Sequence, residues 1–178
     1  MIYLFLAEGF EEIEALTPVD MLRRAGKDIR TVGIGSKTVV GAHGIAVTAD
    51  LSEEELSDEK PEMIILPGGM PGTLNLDASR AVQRAIDTAL SSGAYIAAIC
   101  AAPTILGKRG LLVGKKATCY PGMEDGLTGA ILSEKTVVRD GRIITAAGMG
   151  AALAFSLELV SVLCGEDKAR ALKTAVVG

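Results

Sequence analysis

Apolar positions along this chain keep two rhythms, short unbroken runs and stretches at helical spacing, and the two alternate. Ile2 to Ala7 is an unbroken apolar run, as expected of a strand buried on both faces. After the polar turn Glu8-Gly9, residues Ala15, Leu16, Val19, Leu22 and Ala25 fall at helical spacing, and Gly26 stops the helix. Pro18 lies inside this pattern. It cannot donate to the carbonyl of Glu14, which predicts a first turn that is kinked or starts late. Ile29 to Ile34 reads as a second strand and Gly35-Ser36-Lys37 as a turn. Val39-Val40 and Ile45 to Val47 flank Gly41-Ala42-His43-Gly44, as a small strand pair or one bent strand would. Ser52 to Lys60 is an acidic, exposed connection.

The rhythm then repeats. Met63 to Leu66 is a buried strand that runs into Pro67-Gly68-Gly69-Met70-Pro71-Gly72. Ala78, Ala81, Val82, Ala85, Ile86, Ala89 and Leu90 form one helical stripe, with Asp77 as N-cap and Gly93 as stop. Ala94 to Ile99 is a buried strand leading directly into Cys100. Ala101 to Lys108 reads as a short helix with Pro103 in its first turn. Ala117 to Tyr120, Thr136 to Val138 and Arg142 to Thr145 are further strands, the last two joined by a hairpin turn at Arg139-Asp140-Gly141. One helix ending at Leu163 and another from Asp167 to about Val176 close the chain. Strands alternating with helices, and apolar throughout at the centre, predict an α/β fold with a doubly wound, mostly parallel sheet and helices on both faces. Sites in such sheets form beyond the carboxyl ends of the strands. Any site here should therefore draw on Ala7 to Glu14, Pro67 to Gly72 and Cys100 to Pro103.

Composition narrows the functional classes. At 178 residues the chain suits a single domain spanning residues 1–178. Aromatics are 3% and the net charge is −4, which disfavours a stacking platform or basic face for nucleic acid. Ile143 to Cys164 carries one charge, Glu158, over a length that could span a bilayer, but Gly148 and Gly150 divide it into a strand and a helix. The expectation is therefore no membrane span. Three cysteines at no metal-like spacing, Cys100, Cys119 and Cys164, read as reduced thiols of a cytoplasmic protein. The single histidine, His43, removes most zinc motifs, and no metal site or cofactor is expected.

Cys100 is the leading chemical candidate. A buried strand turning straight into a helix would point N–H groups and a helix dipole at its sulfur and stabilise the thiolate. Its neighbours Ala98, Ala101 and Ala102 are small, as a nucleophile elbow requires. Glu8, Glu11, Glu12 and Glu14 cluster after the first strand. Glu11 and Glu12 read as a solvated helix start. Glu14, at the Pro18 irregularity, could be buried, with a raised pKa, and share a proton with a thiol. Gly68-Gly69 could leave N–H groups free for an oxyanion. His43 taken alone reads as a surface histidine. Cys119 and Cys164 read as small core hydrophobes.

The segments AEGFEEIEALTPVDMLRRAG, MIILPGGMPG and AICAAPTIL, with TAAGMGAALAFSLELV further on, resemble the ThiJ/PfpI superfamily and, within it, the parkinsonism-associated protein deglycase branch. The resemblance implies a flavodoxin-like fold and a homodimer. It implies an oxidisable nucleophile at Cys100, a protonated Glu14 bonded to its sulfur, and oxyanion N–H groups at Gly69 and Ala101. It also places His43 at the mouth of the cysteine pocket. Two positions depart from the pattern. The superfamily's proteases carry a histidine beside the cysteine, where this chain has Ala101. The branch's His-Pro pair is Tyr120-Pro121 here. A phenol, with a pKa near about 10, cannot take a thiol proton at neutral pH. The implied activity is cysteine-dependent turnover of reactive carbonyls or glycated protein, with Glu14 carrying the proton. The alternative is a non-catalytic redox sensor whose Cys100 oxidises. A protease is disfavoured.

Overall fold

Seven strands form the central sheet of the computed structural model, which describes residues 1–57 and 59–178. In chain order the elements are β1 (Ile2–Leu6), α1 (Glu12–Arg24), β2 (Ile29–Gly33), β3 (Thr38–Val40), β4 (Ala46–Thr48), β5 (Leu51–Ser52), β6 (Met63–Leu66), α2 (Gly72–Ala78), α3 (Arg80–Ser92), β7 (Tyr95–Ile99) and α4 (Pro103–Lys108). There follow β8 (Lys116–Ala117), β9 (Ile131–Leu132), β10 (Val137–Asp140), β11 (Ile143–Ala146), α5 (Ala152–Cys164) and α6 (Glu166–Ala175). The sheet order is β10-β11-β7-β6-β1-β2-β5, parallel throughout except for the β10–β11 hairpin. Helices on both faces make this the expected flavodoxin-like layer. The order reverses between β1 and β6, so their carboxyl ends open a crevice.

Side-chain alternation explains why the strands read as unbroken apolar runs. On β1, Ile2, Leu4 and Leu6 pack on one face with Leu22 of α1 and Phe155 and Leu159 of α5. Tyr3 and Phe5 pack on the other with Val82 and Ile86 of α3 and Ile105 of α4. The same division holds on β6 and β7, where Ile65 and Ile99 face one way and Ile64 and Ile96 the other. Neither face of the central strands meets water, so no polar alternation is possible.

Four local expectations change. Asp77 is not the cap of the long helix. It lies inside α2, and the Ser79 side chain accepts from the Val82 N–H to start α3, so the apolar stripe belongs to two helices. Gly93 does end α3, at φ 70°. α1 begins at Glu12 and runs on through Pro18, so the irregularity falls in the second turn, not the first. Ala117 to Tyr120 is not a full strand. Only Lys116–Ala117 pair, with Ile131–Leu132, because the Thr118 N–H donates to Thr145 Oγ1 and the Tyr120 N–H to the Cys100 carbonyl. The acidic connection holds a short 3-10 turn at Glu53–Glu55, and Asp58 lies outside the described residues. The Ile143 to Cys164 stretch divides into β11 and α5, and no helix among the described residues is long and apolar enough to cross a membrane.

Candidate active site

Three strand ends meet in the crevice, as the topology requires. β7 ends at Ile99, and Cys100 turns the chain with φ 64°, a left-handed conformation rare for a residue with a side chain. Fixed partners hold it there. The Cys100 N–H donates to the Ala146 carbonyl on β11, and the Cys100 carbonyl accepts from the Tyr120 N–H, both at 2.8 Å. The Gly69 and Ala101 N–H groups favour a charged sulfur. Glycine is obligatory beside it. A Cβ on Gly68 would lie 2.6 Å from both the Cys100 Cβ and Glu14 Oε2. Gly69 has φ +89° and sits against the backbone of Gly9 and Glu11, and the Glu11 N–H donates to the Gly68 carbonyl.

Glu14 comes from the first turn of α1 and is 1% exposed. Its Oε2 accepts the Gly68 N–H at 2.9 Å. Burial lifts this carboxyl to about 7, against the pull of the Cys100 thiol and the Gly68 N–H. Burial and the facing Glu14 charge push the Cys100 thiol up to about 12. This corrects the expectation of a stabilised thiolate, since burial and the carboxylate outweigh the two amides. α4 also has only six residues, too few for a strong dipole. The two groups titrate as a pair holding one proton between them above about pH 7.

Tyr120 borders the site without a hydrogen bond from its phenol among the described residues. It is half exposed, and its ring lies 3.4 Å from where a Gly148 Cβ would stand, a point 4.0 Å from Glu14 Oε1. Gly148 and Ala146 are thus site residues that periodicity does not flag, because their part is played by backbone and by missing side chains. Cys119 is buried apart from the solvent, with its thiol raised to about 11 by burial and the Glu124 charge.

His43 and its neighbours are the largest revision. Glu12 is not solvated; it is 5% exposed. Its Oε1 accepts the His43 N–H at 2.8 Å and its Oε2 stands 2.8 Å from His43 Nδ1. Burial would raise the Glu12 carboxyl, but the His43 hydrogen bonds win and hold it below the usual value. The Glu12 hydrogen bond, with the Glu11 and Glu12 charges, raises His43 above 6.5 although its ring is 66% exposed. The Gly41 to Gly44 turn wraps the Glu12 carboxylate, where a Gly41 Cβ would fall 2.3 Å from Oε1. The signal in the sequence was a histidine between two turn glycines, too general to assign a partner.

A cysteine on a left-handed strand-to-helix elbow, backed by a buried carboxyl in a flavodoxin-like layer, defines a nucleophile-elbow cysteine protein. Residues 1–162 match the model of the DJ-1/PfpI family, and the chain belongs to that family. It is 37% identical to Protein dj-1beta of Drosophila melanogaster over 166 residues, 92% of this chain and 89% of the relative. It is 33% identical to the glutathione-independent glyoxalase DJR-1.2 of Caenorhabditis elegans, covering 93% and 89% of the two chains. Toxoplasma gondii DJ-1, solved in a form described as oxidized, superposes with a TM-score of 0.95 at 32% identity over 99% of this chain and 97% of that one.

Proposed function

We propose that this protein is a cysteine-dependent enzyme of the glyoxalase or deglycase type, acting on methylglyoxal or early glycation adducts. The observation that carries the reading is a buried Glu14, titrating near 7, coupled to a thiol at an elbow that aims two amides at the sulfur. The relative named as a glyoxalase supports the substrate class.

In this reading Glu14 carboxylate takes the Cys100 thiol proton as sulfur attacks the aldehyde carbon. The Gly69 and Ala101 N–H groups receive the oxyanion, and the Glu14 proton then neutralises it, giving a hemithioacetal. Glu14 next removes the proton on the former aldehyde carbon and returns one to the neighbouring carbon. The thioester so formed is hydrolysed, and methylglyoxal plus water becomes lactate with no external oxidant. The reading requires no cofactor. It places the protein in the cytoplasm as a homodimer, with exposed Ile13 and Leu16 on α1 offering apolar area to a second copy. Proton NMR of methylglyoxal with the wild type should show lactate accumulating, and Cys100→Ser should abolish it. Lactate formed equally by both would overturn the reading.

A redox-sensing role is the second reading, favoured by the oxidized form of the Toxoplasma relative and by the lack of an imidazole at Tyr120. Intact mass after mild peroxide tests it. Oxidation should fall on Cys100. Oxidation no faster there than at Cys119 or Cys164 refutes it.

A further inference from the structure

The Glu11, Glu12 and His43 side chains make a cluster that the carbonyl chemistry does not use. One donor atom from each lies within 4.8 Å of the others. His43 Nδ1 stands 2.8 Å from Glu12 Oε2 and 3.5 Å from Glu11 Oε2. Around a metal with ligands at about 2.0–2.2 Å, as for zinc, neighbouring ligand atoms are separated by about 3 to 3.5 Å. The two imidazole–carboxylate spacings are of that order, and the two carboxylate oxygens lie within 4.8 Å of each other.

Hydrogen bonding alone leaves this cluster incomplete. Nδ1 carries one proton at most, and Glu12 Oε2 is the closer acceptor. The Glu11 side chain is only 13% exposed, yet among the described residues its carboxylate accepts no hydrogen bond and meets the imidazole only at 3.5 Å. A largely enclosed carboxylate without a donor is costly unless a cation serves it. The opposite oxygen of Glu12 is tied down by the His43 N–H, which fixes the direction of Oε2 as outer partners fix metal ligands. The exposed side of the imidazole leaves room for water to complete a coordination shell. Nitrogen with two carboxylate oxygens suits zinc and its transition-metal neighbours better than magnesium or calcium.

We infer that Glu11, Glu12 and His43 form a divalent transition-metal site, with zinc as its commonest fit, clasping the β3–β4 hairpin to the start of α1 beside the Cys100 crevice. Binding displaces the Nδ1 proton to solvent, and the imidazole nitrogen and two carboxylate oxygens bond the ion in its place. The single histidine excludes zinc motifs that need two, but not a one-histidine, two-carboxylate set.

The test is calorimetric titration of the full chain with zinc chloride at neutral pH in two buffers of different ionisation enthalpy. The wild type should bind one zinc with net proton release, and Cys100→Ser should bind it unchanged, which separates this site from the thiol. His43→Ala and Glu11→Gln, both checked for native circular dichroism, should weaken binding at least about tenfold. Absence of binding by the wild type, loss in Cys100→Ser, or unchanged affinity in His43→Ala or Glu11→Gln would each overturn the inference.

Discussion

Replacing Glu14 by Gln should change how stability depends on pH more than it changes stability at any one acidic pH. The amide keeps the shape and an oxygen that can accept the Gly68 N–H at 2.9 Å, but it never ionises. In the wild type the folded carboxyl titrates near 7, above its ordinary 4.5. A raised pKa contributes stability that is fully present below 4.5 and is lost as pH rises through about 7. That gap corresponds to about 3 kcal/mol, the free energy of holding an anion in a site with 1% exposure. For a chain of this size it is a relative Tm change on the order of 10 °C. The Cys100 thiol, raised from 9.0 to about 12, loses its contribution only above pH 9 and stays out of this window. Thermal unfolding of both proteins at equal concentration, from pH 4 to 8, gives the difference directly. Glu14→Gln should gain on the wild type from about pH 4.5 upward and level off above pH 7. Parallel curves, or a variant that loses ground as pH rises, would refute the buried, shared proton.

Other consequences are local. Gly68→Ala places a methyl 2.6 Å from the Cys100 Cβ and Glu14 Oε2. It should cost about 1–3 kcal/mol in urea unfolding and remove turnover together. Proton NMR should find His43 titrating above 6.5, and Glu12→Gln should lower it by removing the carboxylate that accepts from the imidazole. That ion pair adds stability below 6.5 and loses it as pH rises through the raised value. Ser79→Ala should cost about 1 kcal/mol as the loss of an N-cap, and Asp77→Ala, which breaks only the exposed pair with Lys108, should cost less in the same denaturation series.

The alternation of runs and helical stripes made the layer architecture legible, because Ile2 to Leu6, Met63 to Leu66 and Tyr95 to Ile99 are buried on both faces and admit no polar residue. The same topology located the crevice at three strand ends, with Cys100, Glu14 and Gly68-Gly69 in it. Local rules failed where long-range partners decide. Glu12 reads as a solvated helix start until the Gly41 to Gly44 turn folds over it. Cys100 reads as an activated thiol until burial and the Glu14 charge are set against it. Gly148 and the Ala146 carbonyl act through backbone, which leaves no mark in hydrophobic period. Ile131–Leu132 pair with both side chains exposed, so their strand carries no alternation.

In the proposed reaction Cys100 attacks and Glu14 carries the proton. Methylglyoxal turnover and Cys100 alkylation by iodoacetamide, measured together on Glu14→Gln under conditions where it is folded, separate those roles. Cys100 should still be alkylated while kcat falls at least about 100-fold, the usual share of a proton-transfer group. Turnover kept within a few-fold of wild type in Glu14→Gln would contradict it.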